Sequence, residues 1–314
     1  MSHSKPSGLS NLFTYKTLVH AIAGATGSVV AMATFYPLDT VRSRLQLEEK
    51  RESKNTVEVI KELVNDEGFL TLYRGMVPVL KSLCCSNFVY FYTFHGFKSM
   101  RAKSSQQSAG RDLMLAALAG VVNVFVTTPL WVVNTKLKMK GIGAGSGGHG
   151  GAEVPFDGLI DGLSYIARTE GVLALWKGTM PSLILVTNPS LQFMAYESIK
   201  RRLMAGKEVG AQLGSLTVFL VGAMAKAIAT VATYPLQIVQ AKLRHGHNYP
   251  NLRKNANMFE LFIYIIKIHG VKGLFKGMEA KILQTISTAA LMFVAYEKIA
   301  AVVFQILLMQ KKSQ

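Results

Sequence analysis

Three long uncharged runs, each ending in the same short string, constrain this chain more than any other feature. Residues Thr17–Leu38 and Leu113–Thr135 contain no Asp, Glu, Lys or Arg, and Val209–Ala241 contains one charge, Lys226. Runs of about twenty apolar residues can cross a bilayer as helices. Each run carries a proline near its end: Pro37-Leu38-Asp39-Thr40-Val41-Arg42, Pro129-Leu130-Trp131-Val132-Val133-Asn134 and Pro235-Leu236-Gln237-Ile238-Val239-Gln240. Proline inside a helix removes a backbone hydrogen bond and kinks it, so Pro37, Pro129 and Pro235 mark three bends. Asp39 and Arg42, three residues apart, share a helix face.

A second string follows each of the first. Glu67-Gly68 precedes Tyr73-Arg74-Gly75, Glu170-Gly171 precedes Trp176-Lys177-Gly178, and His269-Gly270 precedes Phe275-Lys276-Gly277. Two motifs in fixed order, three times, about a hundred residues apart, define an internal repeat.

The pattern P-x-[DE]-x-x-[KR], then [DE]-G, then aromatic-basic-Gly, resembles the mitochondrial carrier family across essentially the whole chain. The resemblance implies an all-α membrane protein with six transmembrane helices. These form three pseudo-symmetric two-helix repeats, with short surface helices between, around a central cavity. It also implies alternating-access exchange of an anionic solute. The repeats fall at 15–103, 111–205 and 212–309, with tails at 1–14 and 310–314. The long helices are expected over Tyr15–Gln46, Met76–Met100, Arg111–Lys140, Lys177–Met204, Leu213–Leu243 and Lys276–Leu308. Surface helices are expected over Asn55–Asp66, Phe156–Thr169 and Met258–His269. An even number of spans puts both termini on one side, the cytosol by the family's topology.

The rest of the composition narrows the function. The 314 residues carry a formal charge of +17, which suits positive loops against anionic lipid or a cavity that attracts anions. Uncharged runs of this length argue against a nucleic-acid binder. Cys84 and Cys85 are adjacent within an apolar stretch and read as packing residues. No metal-ligand cluster and no nucleophile–base pair is visible, so the chain reads as no enzyme and without a resident cofactor. The glycine-rich stretch 141–151 lacks a G-K-[ST] ending and reads as a flexible loop, not a phosphate loop. The N-terminus shows no cleavable signal. The last residues, Lys311-Lys312-Ser313-Gln314, are not the peroxisomal S-K-L.

In the family, acid and base of the proline motifs pair between neighbouring repeats and close the inner side. Carried over, Asp39 faces Asn134, Trp131 faces Gln240 and Gln237 faces Arg42. That inner gate is expected to hold no ion pair: two of the three pairs make at most charge–amide hydrogen bonds worth about 1.5–3 kcal/mol each, and Trp131 with Gln240 is weaker still. A second ring, near the ends of the even helices, would hold His95, Lys98, Glu197, Lys200 and Glu297. There the resemblance pairs Lys98 with Glu197 and Lys200 with Glu297. On this count the cytosolic gate is the stronger seal.

Between the gates, charge inside the membrane marks function. Lys226 lies nine residues before Pro235, and its repeat equivalents are Ser28 and Gly120. Helical spacing puts it broadly on one face with Thr230 and Gln237. It reads as a ligand for substrate phosphate, against a snorkelling lysine as the bland alternative. Lys81 is a second, weaker candidate with the same alternative. Gln284, at the level where the family contacts substrate, and Asn87, Asn123 and Asn188 add hydrogen-bonding groups. The aromatics of the second helix, Tyr90 among them, either pack or stack on an aromatic base.

Trp131 where an acid is expected resembles the family branch carrying NAD, FAD, folate, pyrimidine nucleotides and coenzyme A. The segments 83–94 and 223–230 are similar to peroxisomal carriers of adenine nucleotides and coenzyme A. The resemblance implies antiport of CoA, FAD, NAD and AMP or ADP across the peroxisomal membrane. These are transported substrates, not bound cofactors. It further implies lipid and a peroxisomal membrane-protein import receptor as partners, and a monomer. A mitochondrial inner-membrane carrier for NAD, pyrimidine nucleotides or folate is the alternative. A scaffold or leak channel on the same fold is a third reading.

Overall fold

A computed structural model of the chain describes residues 30–48, 55–100, 109–140, 154–205, 214–246, 249, 252–253, 256–291 and 294. Every regular element among them is helical: α1 (Tyr36–Leu47), α2 (Thr56–Glu67), α3 (Met76–Met100), α4 (Ala109–Lys138), α5 (Leu159–Thr169), α6 (Thr179–Leu185), α7 (Asn188–Met204), α8 (Ser215–His245), α9 (Met258–Gly273) and α10 (residues 278–291). Among the described residues, each repeat runs proline-motif helix, surface helix, second helix. Short 3-10 helices, Phe69–Tyr73 and Val172–Trp176, bridge the last two in repeats one and two. The expected starts of the first helix and end of the sixth lie outside the described residues.

Residues 110–138 and 216–245 are each long and apolar enough to cross a membrane. Their outer faces are greasy and exposed: Met114, Leu118 and Phe125 on α4, and Leu220, Met224 and Ile228 on α8. Phe88, Phe91 and Tyr92 do the same on α3, and Leu283 and Ile286 on α10. Exposed apolar stripes on so many helices call for a lipid solvent.

Each repeat closes a small core at its proline end, where the kinked helix meets the surface helix. Val41, Leu45, Val59, Leu63 and Leu72 form the first. Val132, Val133, Leu137, Phe156, Ile166 and Leu175 form the second. Tyr234, Ile238, Val239, Leu261, Ile265 and Leu274 form the third. In the second, Gly162 stands at the position of Val59 and Leu261. Phe156 fills the space instead, with its ring carbon 2.7 Å from where a Gly162 Cβ would lie.

The glycines of the second motif are backbone requirements. Gly68, Gly171 and Gly270 have φ of 85°, 89° and 65°, and Gly75, Gly178 and Gly277 have φ of 78°, 81° and 79°. Side-chain-bearing residues rarely adopt such angles. The second set also lets repeats touch. A Cβ on Gly75 would lie 3.2 Å from Lys138 Cγ, one on Gly178 3.0 Å from Arg244 Cγ, and one on Gly277 3.2 Å from Leu45 Cβ. Repeat one therefore rests on two, two on three, and three on one.

Two long helices depart from expectation. The fourth is not continuous: α6 ends at Leu185 and α7 begins at Asn188. Pro189 explains the break, because its ring clashes with the carbonyl four residues back, that of Leu185. The first turns at Phe35, just ahead of Pro37. Pro129 and Pro235, by contrast, sit inside unbroken helices. The third surface helix runs past His269, with a non-helical Gly270 inside it.

Candidate functional site: a sealed gate beneath a cation-lined cavity

The proline ends converge on Asp39. Its carboxylate forms an ion pair with the Lys138 ammonium, and Arg42 Nη1 lies 3.6 Å away. Arg42 Nη2 donates to Gln237 Oε1 at 3.1 Å, the partner expected from the motif. Gln240 Nε2 and Arg244 Nη2 both donate to the Ser182 hydroxyl, at 2.8 and 3.1 Å. Thus α1 is tied to α4 and α8, and α8 to α6.

This corrects the sequence reading of the inner gate. Asp39 was expected to face Asn134, leaving no ion pair; Lys138 supplies one. It lies four residues on, one helical turn, and its long stem returns the charge to the ring. Asn134 itself is buried, and among the described residues neither of its amide atoms has a hydrogen-bond partner. Trp131 is half-buried on α4, and Gln240, expected opposite it, is spent on Ser182.

Outside the ring, the base two residues past each motif's end meets the [DE]-G acid. Arg44 pairs with Glu67 at 2.7 Å and with Glu48 at 2.6 Å, and Arg74 reaches Glu67 at 3.3 Å. In repeat two, Glu170 pairs with Lys136, and with Lys177 at 3.5 Å. Burial alone would raise the Glu170 pKa, but the Lys136 and Lys177 charges outweigh it and hold the carboxyl below its ordinary value. Repeat three has His269 in place of the acid, and there Lys242 donates to the Tyr249 hydroxyl at 2.8 Å.

The other end is different. Lys98 lies 3.8 Å from Asp112, and Glu197 lies 3.8 Å from Lys200 of its own helix. Both pairs are part-exposed and weak. The expected Lys98–Glu197 pair is therefore not made in this conformation. Glu297 and the His95 side chain lie outside the described residues, so Lys200–Glu297 does too. Among the described residues, the buried polar contacts between repeats gather at the proline end.

On α8, Lys226 lies about half a turn from the outward Leu220, Met224 and Ile228. It shares its face with Thr230, Thr233 and Gln237, all buried. Its exposure is therefore on the side away from those outward residues. Gln284 is buried on α10 and accepts from Lys281 Nζ at 3.3 Å. Tyr90 lies half-buried about half a turn from Phe88, its ring 6.4 Å from Phe94 and nearly parallel to it.

Three other assignments change. Lys81 is exposed on the face of Val77, Cys84, Phe88 and Tyr92, the outer face of α3; it snorkels rather than lining the cavity. Asn123 exchanges hydrogen bonds with Ser86, at 3.0 and 3.2 Å, and fastens α4 to α3. Asn188 Nδ2 donates to the Thr233 hydroxyl at 3.2 Å, which Gln237 also reaches at 3.1 Å. Both asparagines serve helix packing. Asn87 is exposed.

Lys281 was missed. It sits four residues past Gly277, where repeats one and two carry Val79 and Ser182. It lies about half a turn from the outward Leu283, Ile286 and Val294. The breach of threefold symmetry was its only signal in the sequence.

Comparison with known proteins fits this architecture. The sequence profile of the mitochondrial carrier protein family matches residues 13–105, 105–207 and 211–306. The chain belongs to the mitochondrial carrier family. Its three matched segments are the three structural repeats, and as a family member it is an integral membrane carrier, not an enzyme. Among its relatives, peroxisomal membrane protein PMP34 of Mus musculus is 50% identical over 304 residues, covering 95% of this chain and 97% of the relative. Mitochondrial substrate carrier family protein Q of Dictyostelium discoideum is 35% identical, over 91% of this chain and 88% of its own. The peroxisomal nicotinamide adenine dinucleotide carrier of Arabidopsis thaliana is 32% identical, over 90% and 95%.

Proposed function

We propose that this carrier sits in the peroxisomal membrane and exchanges adenine-containing cofactors: CoA, FAD, NAD and AMP or ADP. It alternates between the conformation described, sealed at the proline end, and its converse. The observation that carries the reading is the inward placement of Lys226, where the equivalent residues of the other repeats are Ser28 and Gly120. A cargo with one anionic end and no threefold symmetry needs such an off-axis cation. Tyr90 offers a flat surface for a base. The organelle is supported by the two peroxisomal relatives.

The test is uptake into liposomes holding the purified chain. Labelled CoA, FAD, NAD, AMP and ATP are offered outside, with and without internal AMP. Uptake of CoA or FAD that requires internal nucleotide, and falls at least tenfold in Lys226→Ala, is the expected result. Flux that ignores internal nucleotide would replace exchange with a leak. Movement of pyrimidine nucleotides or folate alone would give the cargo to another branch of the family.

A further inference from the structure

The gate has a charge imbalance that its own residues do not resolve. Arg42, Lys138 and Lys281 all act electrostatically on the single carboxylate of Asp39. Three cations against one acid leave two positive charges at the cavity floor. Lys226 adds another, close enough for its charge to act on Lys281. Uncompensated charge in a membrane interior is costly and calls for a partner.

The four cations are not equally occupied. Lys138 is committed to Asp39, and Arg42 to Asp39 and Gln237. Lys281 donates only to the neutral Gln284 amide among the described contacts, on the inward face of α10. Lys226 faces the same space from α8. Both stand in the third repeat, and neither has a cation at its equivalent positions: Val79 and Ser182 for Lys281, Ser28 and Gly120 for Lys226. Among the described residues, the two of these cations not bound to a carboxylate thus both come from the third repeat.

We infer that Lys281, Gln284 and Lys226 form a phosphate-binding site at the cavity floor, built for a group carrying two negative charges, such as a terminal phosphomonoester or a pyrophosphate. Lys281 is its deepest ligand and stands between cargo and gate. The Gln284 amide holds the ammonium of Lys281 in position and offers its own N–H donors to phosphate oxygens. The two negative charges of the phosphate offset the surplus of two beside Asp39. This rests on the nucleotide-cargo reading and assigns its anionic end to the third repeat.

Thermal unfolding of the purified full chain tests it, because a ligand that binds the folded state raises Tm. AMP, adenosine and inorganic pyrophosphate are compared on wild type, Lys281→Gln, Lys281→Arg and the outer-face control Lys81→Gln. AMP and pyrophosphate should raise the wild-type Tm and adenosine should not. Lys281→Gln should weaken AMP binding roughly tenfold or more, the loss of one charge-assisted contact. Lys281→Arg should restore part of it, and Lys81→Gln should match wild type. An undiminished AMP shift in Lys281→Gln would overturn the site while leaving the cargo reading intact. A pyrophosphate shift that depends on Lys281, with no response to AMP, CoA, FAD or NAD, would keep the anion site and remove the adenine cargo. If Lys281→Gln does not fold, a lost response in Lys281→Met together with a retained one in Lys281→Arg decides in its favour. A retained response in both decides against it.

Discussion

Asp39 is the residue on which the closed state turns. It is 5% exposed and holds an ion pair from another repeat. Removing one partner of a buried pair strands the other, at a cost of about 3–5 kcal/mol. Asp39→Asn or Lys138→Gln should therefore weaken the proline-end seal by a factor of about a hundred or more. Ser82 is fully buried on α3, so maleimide labelling of Ser82→Cys from the proline side, in a chain with Cys84 and Cys85 replaced by Ser, should speed up accordingly. At the other extreme, Lys81→Gln should leave the KM of every cargo unchanged in liposome uptake. Sequence separates these two residues poorly. A fixed motif spacing draws the eye to Asn134 and hides Lys138, since a lysine stem spans a helical turn and spacing rules do not count stems. Lys81 and Lys281 look alike in one dimension. Only the angular position of each against its greasy neighbours tells lipid face from interior.

At the level of elements, the repeats were legible because their punctuation is local. Proline bends, positive-φ glycines and the acid before them act within a few residues, and a chain without a template still shows them. Gly162 tests how tightly the small cores are packed. Gly162→Val would drive a side chain into Phe156 and Val133, whose nearest atoms lie 2.7 and 2.5 Å from the added Cβ. A loss of about 1–3 kcal/mol is expected, read as a lower Tm. Glu170 tests the outer pairs. Its carboxyl pKa is held below its ordinary value. Its contribution to stability is therefore complete above the unfolded-state pKa, about 4.3, and is lost as pH falls through the lower folded value. Tm should fall more steeply on acidification below about pH 4 in wild type than in Glu170→Gln. The break at Val186–Thr187 was visible as Asn188-Pro189, but hydrophobic continuity overrode it. A run that is apolar throughout says where a helix lies, not whether it is one piece.

For the whole molecule, each repeat leans on the next through one glycine: Gly75 on Lys138, Gly178 on Arg244, Gly277 on Leu45. A methyl group at Gly178 would meet Arg244 Cγ at 3.0 Å and would also strain a backbone at φ 81°. Gly178→Ala should therefore tilt the population toward the state open at the proline end. The Ser82→Cys labelling rate reads this directly, with exchange slowed because closure becomes the harder step. Six helices around a cavity were legible from the repeat count. Where the repeats clasp one another was not, because that depends on contacts between residues far apart in the chain, 58 positions for Ser182 and Gln240 and 195 for Arg42 and Gln237.

The same ring of three contacts makes the floor behave as an iris rather than as three separate flaps. A leaf that rests on its neighbour cannot lift without disturbing the leaf that rests on it, and in a closed ring of three nothing is left out. Partly opened floors lose contacts without gaining a passage, so they are the least populated shapes. A floor built this way opens or shuts as one piece and leaves small ions no partial aperture.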